Sequence, residues 1–216
     1  MDRFRDRRDA GIRLASVLRP AYGEVPGVIV LGLPRGGVPV AFEVAMALHA
    51  PLDVFVVRKL GLPGYEELAV GAIATGGVQV LNADVLAVSD LSESALRRVR
   101  EREERELRRR EMAYRGHEGV PDLAGKTVIL IDDGVATGAS IKAAIQAVRR
   151  QRPRRLVVAI PAAPAAIEAE LNSLVDELVV LTFPDPFHAV GQVYDDFGQT
   201  SDDEVTRLLA LASKSR

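Results

Sequence analysis

Two neighbouring acids, Asp132 and Asp133, lie in the segment VILIDDGVATGAS, between an apolar run and a stretch of small and hydroxylated residues. Ionised carboxylates only accept hydrogen bonds, which suits the two hydroxyls of a ribose diol or a divalent cation. The unpaired backbone N–H groups and positive dipole end of a helix start can bind a phosphate. The residues that would form this phosphate loop are Ala136, Thr137, Gly138, Ala139 and Ser140. The segment therefore predicts a site for a sugar that carries a terminal phosphate.

A second anion site is predicted in the segment GLPRGGVP, which also follows an apolar run and opens a helical pattern. Arg35, Gly36 and Gly37 can present consecutive backbone N–H groups and a guanidinium to an anion. Loops at the carboxyl ends of parallel strands meet at one edge of an open sheet, so both sites can face a single molecule. A ribose phosphate that also carries pyrophosphate fits this arrangement.

The elements that must position these loops alternate between apolar runs and helical patterns, which is typical of βα units on a parallel sheet. Strands are predicted over residues 28–31, 52–57, 127–131, 156–160 and 178–181. The fold class is therefore α/β, with an open, mostly parallel five-stranded sheet flanked by helices. The whole chain, residues 1–216, is expected to form a single domain.

Two parts of the chain fall outside this alternation. Ser92 to Arg115 mixes Arg and Glu at spacings that suit i,i+4 ion pairs, which predicts one long helix. We interpret residues 61–120 as a glycine-rich lid followed by this inserted helix. The simplest role of the helix is a solvated face, and a homodimer contact and a brace for the lid are the alternatives. Residues 183–216 are expected to form a hood, built as an ordered loop, and a C-terminal helix.

The composition excludes several classes of function. The 216 residues contain 28 Lys and Arg against 30 Asp and Glu, a net charge of −2, so no general positive field attracts nucleic acid or anionic membranes. The chain contains no cysteine, which excludes disulfides, thiol nucleophiles and thiolate zinc sites. No apolar stretch reaches the roughly 20 residues of a membrane span, and no apolar signal core follows the N-terminus. We therefore expect a cytoplasmic protein that binds neither nucleic acid nor membrane.

The segment VILIDDGVATGAS resembles the signature of the type I phosphoribosyltransferases, and PRGG resembles their pyrophosphate loop. The resemblance extends from about residue 28 to residue 181, and RKLGLPGYEELAVGAIATGG is similar to a group of poorly characterised bacterial members. It implies that Asp132 and Asp133 hold the ribose hydroxyls, that residues 136–140 hold the 5′-phosphate and that residues 35–37 hold the pyrophosphate. It also makes the Pro34–Arg35 bond a candidate for a cis peptide.

The reaction that the resemblance implies is displacement of pyrophosphate from phosphoribosyl pyrophosphate by a nucleobase or a related small nitrogen base. Asp132 and Asp133 would stabilise positive charge on the sugar, while Mg²⁺, Arg35 and the loop amides would stabilise negative charge on the pyrophosphate. The ion would lie on the pyrophosphate, with the two aspartates acting on it indirectly through the ligand or water. Lys59, with Arg58 beside it, is a further candidate for a contact to the pyrophosphate.

The base site is expected in the hood. PDPFHAVGQVYDDF resembles a stretch of the 6-oxopurine enzymes, with one extra residue after Phe187, and makes Phe187, Val190 and Asp195 candidates for contacts to the base. Ala136, however, stands where the oxopurine enzymes carry a general-base aspartate, as in the adenine and uracil enzymes. The identity of the base therefore stays open.

Two other functions stay open beside transfer. The first keeps the ligand and drops catalysis, which gives a regulatory protein that binds phosphoribosyl pyrophosphate or a nucleotide. The second treats the acid pair as the phosphoacceptor pocket of a signalling receiver. The receiver hypothesis fits poorly, because receivers draw their acids from several strand ends whereas here both acids are adjacent and a phosphate loop follows them.

Overall fold

Strands and helices alternate along most of the chain in the computed structural model, which describes residues 3–62, 65–82, 85–86, 89, 91–116 and 120–214, with the backbone alone at 65–69. The strands are β1 (Val28–Gly32), β2 (Leu52–Val54), β3 (Val57–Leu62), β4 (Tyr65–Ala74), β5 (Val78–Leu81), β6 (Thr127–Ile131), β7 (Arg155–Ala162) and β8 (Glu177–Thr182). The helices are α1 (Arg7–Tyr22), α2 (Gly37–Leu48), α3 (Glu93–Arg115), α4 (Ala139–Arg150), α5 (Glu168–Leu174) and α6 (Asp202–Lys214), and short 3-10 turns cover Ala165–Ile167 and Val190–Val193.

Five parallel strands in the order β2-β1-β6-β7-β8 form the central sheet, which confirms the predicted fold class. The pairing of β1 with β6 runs from Val28 opposite Thr127 to Gly32 opposite Ile131, and every residue of both strands is buried. Strands buried on both faces are continuous apolar runs in sequence, which explains why the sequence shows them clearly. Both predicted ligand loops follow this central pair, so they lie side by side at the carboxyl edge of the sheet.

Helices cover both faces of the central sheet. On one face α1 and α2 pack against residues of β1, β6 and β7, and on the other face α4 packs against the alternate residues of the same strands. The two helices on the first face are very close: a Cβ on Gly11 would lie 2.8 Å from the carbonyl oxygen of Val40. The start of α1 is therefore fixed relative to α2 and to the loop before it. Within the described residues, no helix has the length and apolarity needed to cross a membrane.

A second sheet, β3-β4-β5, is antiparallel and lies between β2 and α3 in the chain, where the sequence predicts a glycine-rich lid. Gly76 and Gly77, with φ of +83° and +72°, form the turn between β4 and β5. Side chains with a Cβ rarely adopt such angles, so these glycines serve a hairpin. Residues 63–64, 83–84, 87–88, 90 and 117–119 of the predicted lid and helix lie outside the described residues. Closure of this region over a ligand stays a prediction.

The strand predicted over residues 52–57 is divided between the two sheets. After β2, the Phe55 N–H donates to the Gly32 carbonyl at 3.0 Å, and the Thr75 N–H donates to the Val56 carbonyl at 2.9 Å. Phe55 and Val56 are fully buried at this passage from one sheet to the other. Because both sheets require apolar residues here, the sequence pattern does not show where β2 ends and β3 begins.

The charged helix α3 forms as predicted, with the Ser92 hydroxyl accepting from the Ala95 N–H at its start. It is more than a solvated face, because Val99, Leu107 and Tyr114 pack against the second sheet. Glu103 lies on the same face and is 5% exposed, and it accepts hydrogen bonds from Nε and Nη2 of Arg58 on β3. A partly buried ion pair therefore holds the helix to the sheet.

Glu103→Gln is expected to lower the free energy of unfolding by about 1 to 3 kcal/mol, because it weakens the only charged acceptor that the structure gives the Arg58 guanidinium within the described residues. Chemical denaturation measures this loss. Glu104→Gln is the matched control, one residue along on a more exposed face, and should cost under about 1 kcal/mol. Equal losses in the two variants would show that the ion pair does not hold α3 in place.

Candidate active site

Asp132 and Asp133 directly follow β6, where the chain turns towards α4. The Asp133 N–H donates to Asp132 Oδ1 at 2.9 Å, which fixes the first carboxylate against its own loop. Burial, and next the charge of Asp133, raise the pKa of Asp132 well above its usual range. The Asp133 side chain is 14% exposed. Two adjoining carboxylates with so little access to water attract a ligand that donates hydrogen bonds or carries positive charge.

The loop that follows is open at the helix start. Gly138 is the N-cap of α4 with φ of +78°, an angle that favours glycine, and no side chain caps the first N–H groups of this helix. Thr137 and Ser140 on either side are exposed. Residues 136–140 thus present free amides and two hydroxyls beside the acid pair, as a phosphate site requires.

The predicted pyrophosphate loop touches the aspartate loop. A Cβ on Gly36 would lie 2.0 Å from Asp133 Oδ2, and a Cβ on Gly37 would lie 2.7 Å from the Ile131 carbonyl oxygen. The Gly37 N–H already donates to the Leu33 carbonyl at 3.0 Å, so Gly37 provides close approach rather than an amide for the ligand. The bond between Pro34 and Arg35 is a cis peptide. The structure therefore brings both predicted anion loops to one place.

Arg7, the first residue of α1, is a site residue that sequence reasoning missed. Its Nε donates to Asp133 Oδ2 at 2.7 Å, and Nη1 donates to the Gly198 carbonyl at 2.6 Å. Its guanidinium carbon lies 3.9 Å from the centroid of the Phe197 ring. Only 13% of the side chain is exposed. No sequence signal distinguishes Arg7, because the segment RFRDRR holds four arginines within six residues.

The N-terminal segment pairs with the hood beside this site. The Phe4 N–H donates to the Val193 carbonyl, and the Asp195 N–H donates to the Phe4 carbonyl, both at 2.8 Å. Tyr194 lies between Val193 and Asp195, and its hydroxyl donates to the Asp133 backbone carbonyl at 2.5 Å. The Tyr194 ring stacks on Phe197, with 4.9 Å between the ring centroids. Burial, and next the charge of Asp133, raise the pKa of Tyr194, which keeps the hydroxyl a donor.

The residues predicted to contact the base lie at different distances from the acid pair. Val190 covers the aspartate loop, since a Cβ on Gly134 would lie 2.4 Å from Val190 Cγ1. Phe187 packs with Val190 against the buried Tyr194. Asp195 instead forms an ion pair with Arg3 at 3.1 Å, with 60% of its side chain exposed. All three base contacts stay predictions, and Val190 has the strongest structural support.

Lys59 lies on β3 opposite Ala72. Its neighbour Leu60 packs in the cluster with α3, so the alternation of side chains along a strand places Lys59 on the other face. In the described part of the chain, no ion pair involves Lys59, whereas Arg58 is held by Glu103. A pyrophosphate contact by Lys59 stays a prediction, and the structure gives Arg58 a structural role instead.

The acid pair fits a magnesium ion that is held indirectly. Mg²⁺ in proteins is usually bound by one or two carboxylates together with substrate phosphates and water. Asp132 and Asp133 supply such oxygens beside two loops suited to phosphates. Across the described ranges, no three His, Asp or Glu side chains group closely enough to bind a metal by themselves. An ion at this site would take its ligands from the phosphates, the sugar and water, and the two aspartates would act on it through these groups.

Comparison with known proteins identifies relatives over nearly the whole chain. Two Mycobacterium tuberculosis proteins, "Putative phosphoribosyl transferase Rv0571c" (strain ATCC 25618 / H37Rv) and "Putative phosphoribosyl transferase MT0597" (strain CDC 1551 / Oshkosh), are each 49% identical over 215 residues. This chain is covered to 99% but spans only 48% of each relative, about half its length. The crystal structure of TT1426 from Thermus thermophilus is 45% identical, with a TM-score of 0.84 over 96% of this chain and 97% of that one.

A family model described as "Phosphoribosyl transferase domain" matches residues 8–197. This range begins in α1 and ends in the hood, so it includes the central sheet, the acid pair and both anion loops. The resemblance drawn from the two sequence motifs is thereby confirmed. The chain belongs to the phosphoribosyl transferase domain family.

Proposed function

We propose that this chain is a magnesium-dependent phosphoribosyltransferase. It transfers ribose 5-phosphate from phosphoribosyl pyrophosphate to a nitrogen of a nucleobase or a related small base, and releases pyrophosphate. The observation that carries the proposal is the contact of Gly36 with the Asp133 carboxylate, which joins a predicted pyrophosphate site to a predicted pentose phosphate site.

The donor would lie across the two loops. The open start of α4, with the Thr137 and Ser140 hydroxyls, would bind the 5′-phosphate. Asp132 and Asp133 would accept hydrogen bonds from the two ribose hydroxyls. The Arg35 guanidinium and the amides of the loop before α2 would bind the pyrophosphate. This pose places the anomeric carbon between the acid pair and the pyrophosphate loop.

The transfer breaks the bond between the anomeric carbon and a pyrophosphate oxygen and forms a bond from that carbon to the base nitrogen, which releases its proton to water. The acid pair would stabilise the positive charge that develops on the sugar, and Arg35 would stabilise the negative charge on the departing pyrophosphate. When bound, Mg²⁺ supplies further positive charge to the pyrophosphate oxygens. Val190 and the hood cover the aspartate loop and limit the access of water to the sugar.

Pyrophosphate release from phosphoribosyl pyrophosphate tests the proposal directly. The wild-type chain is incubated with Mg²⁺ and a panel of purines, pyrimidines and other nitrogen heterocycles, each against a control without base. We expect release that requires both one of the bases and Mg²⁺. An inert protein with every base would contradict the transferase, and tight binding of the donor without turnover would indicate a regulatory binding protein instead.

A further inference from the structure

Asp133 is held from three directions before any ligand binds. Gly36 lies against its carboxylate, the Tyr194 hydroxyl bonds its backbone carbonyl, and Arg7 bonds its Oδ2. Gly36 belongs to the loop proposed to bind pyrophosphate, and the Tyr194 hydroxyl fixes the main chain of Asp133 and not its carboxylate. Among the residues that the structure describes, Arg7 is the one that forms an ion pair with this carboxylate, and it lies one residue before the range that the family model matches.

The position of Arg7 is built into the fold. The Asp6 side chain caps α1 by accepting from the Asp9 N–H at 2.8 Å, and the Asp196 N–H donates to the Arg5 carbonyl at 2.8 Å. The backbone on both sides of Arg7 is therefore tied, to its own helix and to the hood. The Gly198 carbonyl and the Phe197 ring then fix its guanidinium. An arginine held this way is ordered in advance, so it keeps its contact at little further cost in entropy.

We propose that Arg7 is a positioning residue of the donor site and acts through Asp133. It binds Oδ2 and leaves Oδ1 of the same carboxylate to accept a ribose hydroxyl. It also offsets the negative charge of Asp133, which would otherwise repel a donor that carries several phosphate charges. This inference rests on the proposed function, because it assigns Asp133 to the ribose of phosphoribosyl pyrophosphate.

Arginine is suited to this role in a way that lysine is not. Its planar guanidinium bonds a carboxylate and a carbonyl in one plane while its face stacks on an aromatic ring. A lysine ammonium at the same position would keep the charge near Asp133 but would lose the stacking on Phe197. Arg7→Lys is therefore expected to keep part of the donor affinity that Arg7→Gln loses.

The test is calorimetric titration of the full chain with phosphoribosyl pyrophosphate in the presence of Mg²⁺. Arg7→Gln is expected to weaken binding by at least about tenfold, with Arg7→Lys between it and the wild type. Arg8→Gln is the matched control: it removes the same charge one residue along, where Arg8 pairs with Glu43 and is 74% exposed. Its affinity should stay within about twofold of the wild type.

A double-mutant cycle separates positioning from general damage to the fold. If Arg7 acts through Asp133, then Arg7→Gln should change affinity by less than about twofold in an Asp133→Ala background, where the acceptor of Arg7 Nε is gone. An equal loss in both backgrounds would overturn the inference. So would tighter binding by Arg7→Gln, which would mean that Arg7 blocks the site, or a lower melting temperature with unchanged affinity.

The outcomes of these titrations also separate this inference from the proposed function. A wild-type protein that does not bind the donor contradicts both. If Arg7→Gln binds the donor as tightly as the wild type does, the role of Arg7 is contradicted and the proposed function is not. A wild-type protein that binds the donor but transfers it to no base contradicts catalysis, and the cycle of Arg7 with Asp133 still decides the positioning role.

Discussion

Gly36→Ala is expected to reduce kcat/KM for pyrophosphate release by at least about 100-fold, because it displaces the carboxylate that the proposed function assigns to the sugar. The backbone is not the obstacle: φ of −61° and ψ of −33° at Gly36 are ordinary for alanine. The added Cβ would lie 2.0 Å from Asp133 Oδ2 and 2.6 Å from its Cγ. Arg7 bonds Oδ2 and Tyr194 fixes the main chain of Asp133, so the carboxylate can avoid this Cβ only by leaving Arg7 or by turning into the space proposed for the ligand.

Thermal unfolding of paired variants tests this steric explanation apart from activity. Gly36→Ala should cost about 1 to 3 kcal/mol of stability in the wild-type background, as overpacking does. In an Asp133→Ala background the carboxylate is gone, and the same substitution should be nearly neutral. If the cost were the same in both backgrounds, contact with Asp133 would not be the reason that glycine is needed.

Asp133→Asn is expected to lower kcat about 100- to 1000-fold, the loss typical of removing one well-placed charge or donor at a transition state. The amide keeps the shape of the side chain and one oxygen that can accept from Arg7 Nε. What it removes is the negative charge beside the developing positive charge of the sugar. Steady-state pyrophosphate release with the best base of the panel measures the loss.

Asp122→Asn is the control for this substitution, since it makes the same change of charge at the opposite edge of the sheet. Asp122 lies in the loop before β6, where its Oδ1 accepts from the Ala124 N–H at 3.0 Å. The kcat of Asp122→Asn should stay within about twofold of the wild-type value. Retention of the wild-type rate by Asp133→Asn, to within about fivefold, would remove Asp133 from the chemistry.

The central sheet and the ligand loops follow from local sequence. The three central strands β1, β6 and β7 are apolar runs rich in Val, Ile and Leu, and burial on both faces confines their polar residues to the first position of a strand. The two loops carry their own evidence, because glycines and hydroxylated residues between a strand and a helix suit an anion site, and the acids beside them suit the hydroxyls of a sugar. Their contact at Gly36 follows from the parallel pairing of β1 with β6.

The second sheet and the role of Arg7 could not be predicted from local sequence. The glycines of β4 and its turn indicate mobility when taken alone, and only the pairing with β3 and β5 reveals a hairpin. Arg7 meets Asp133 across 126 residues, and nothing in a local window records such a contact. The spacing of Ala10, Leu14 and Leu18 is typical of a helix and indicates α1. Pro20 makes this helical pattern harder to recognise, because proline is uncommon inside helices.

The pairing of Phe4 with Tyr194 is expected to delay the completion of the proposed donor site. Contacts between residues so far apart in sequence raise contact order, and they form late because a large loop must close first. Arg7 is synthesised before the hood, and it gains its contacts with Phe197 and Gly198 only once the hood has folded. We therefore expect Arg7 and Tyr194 to support Asp133 only after the sheet has formed, so an intermediate with an intact sheet should bind the donor weakly.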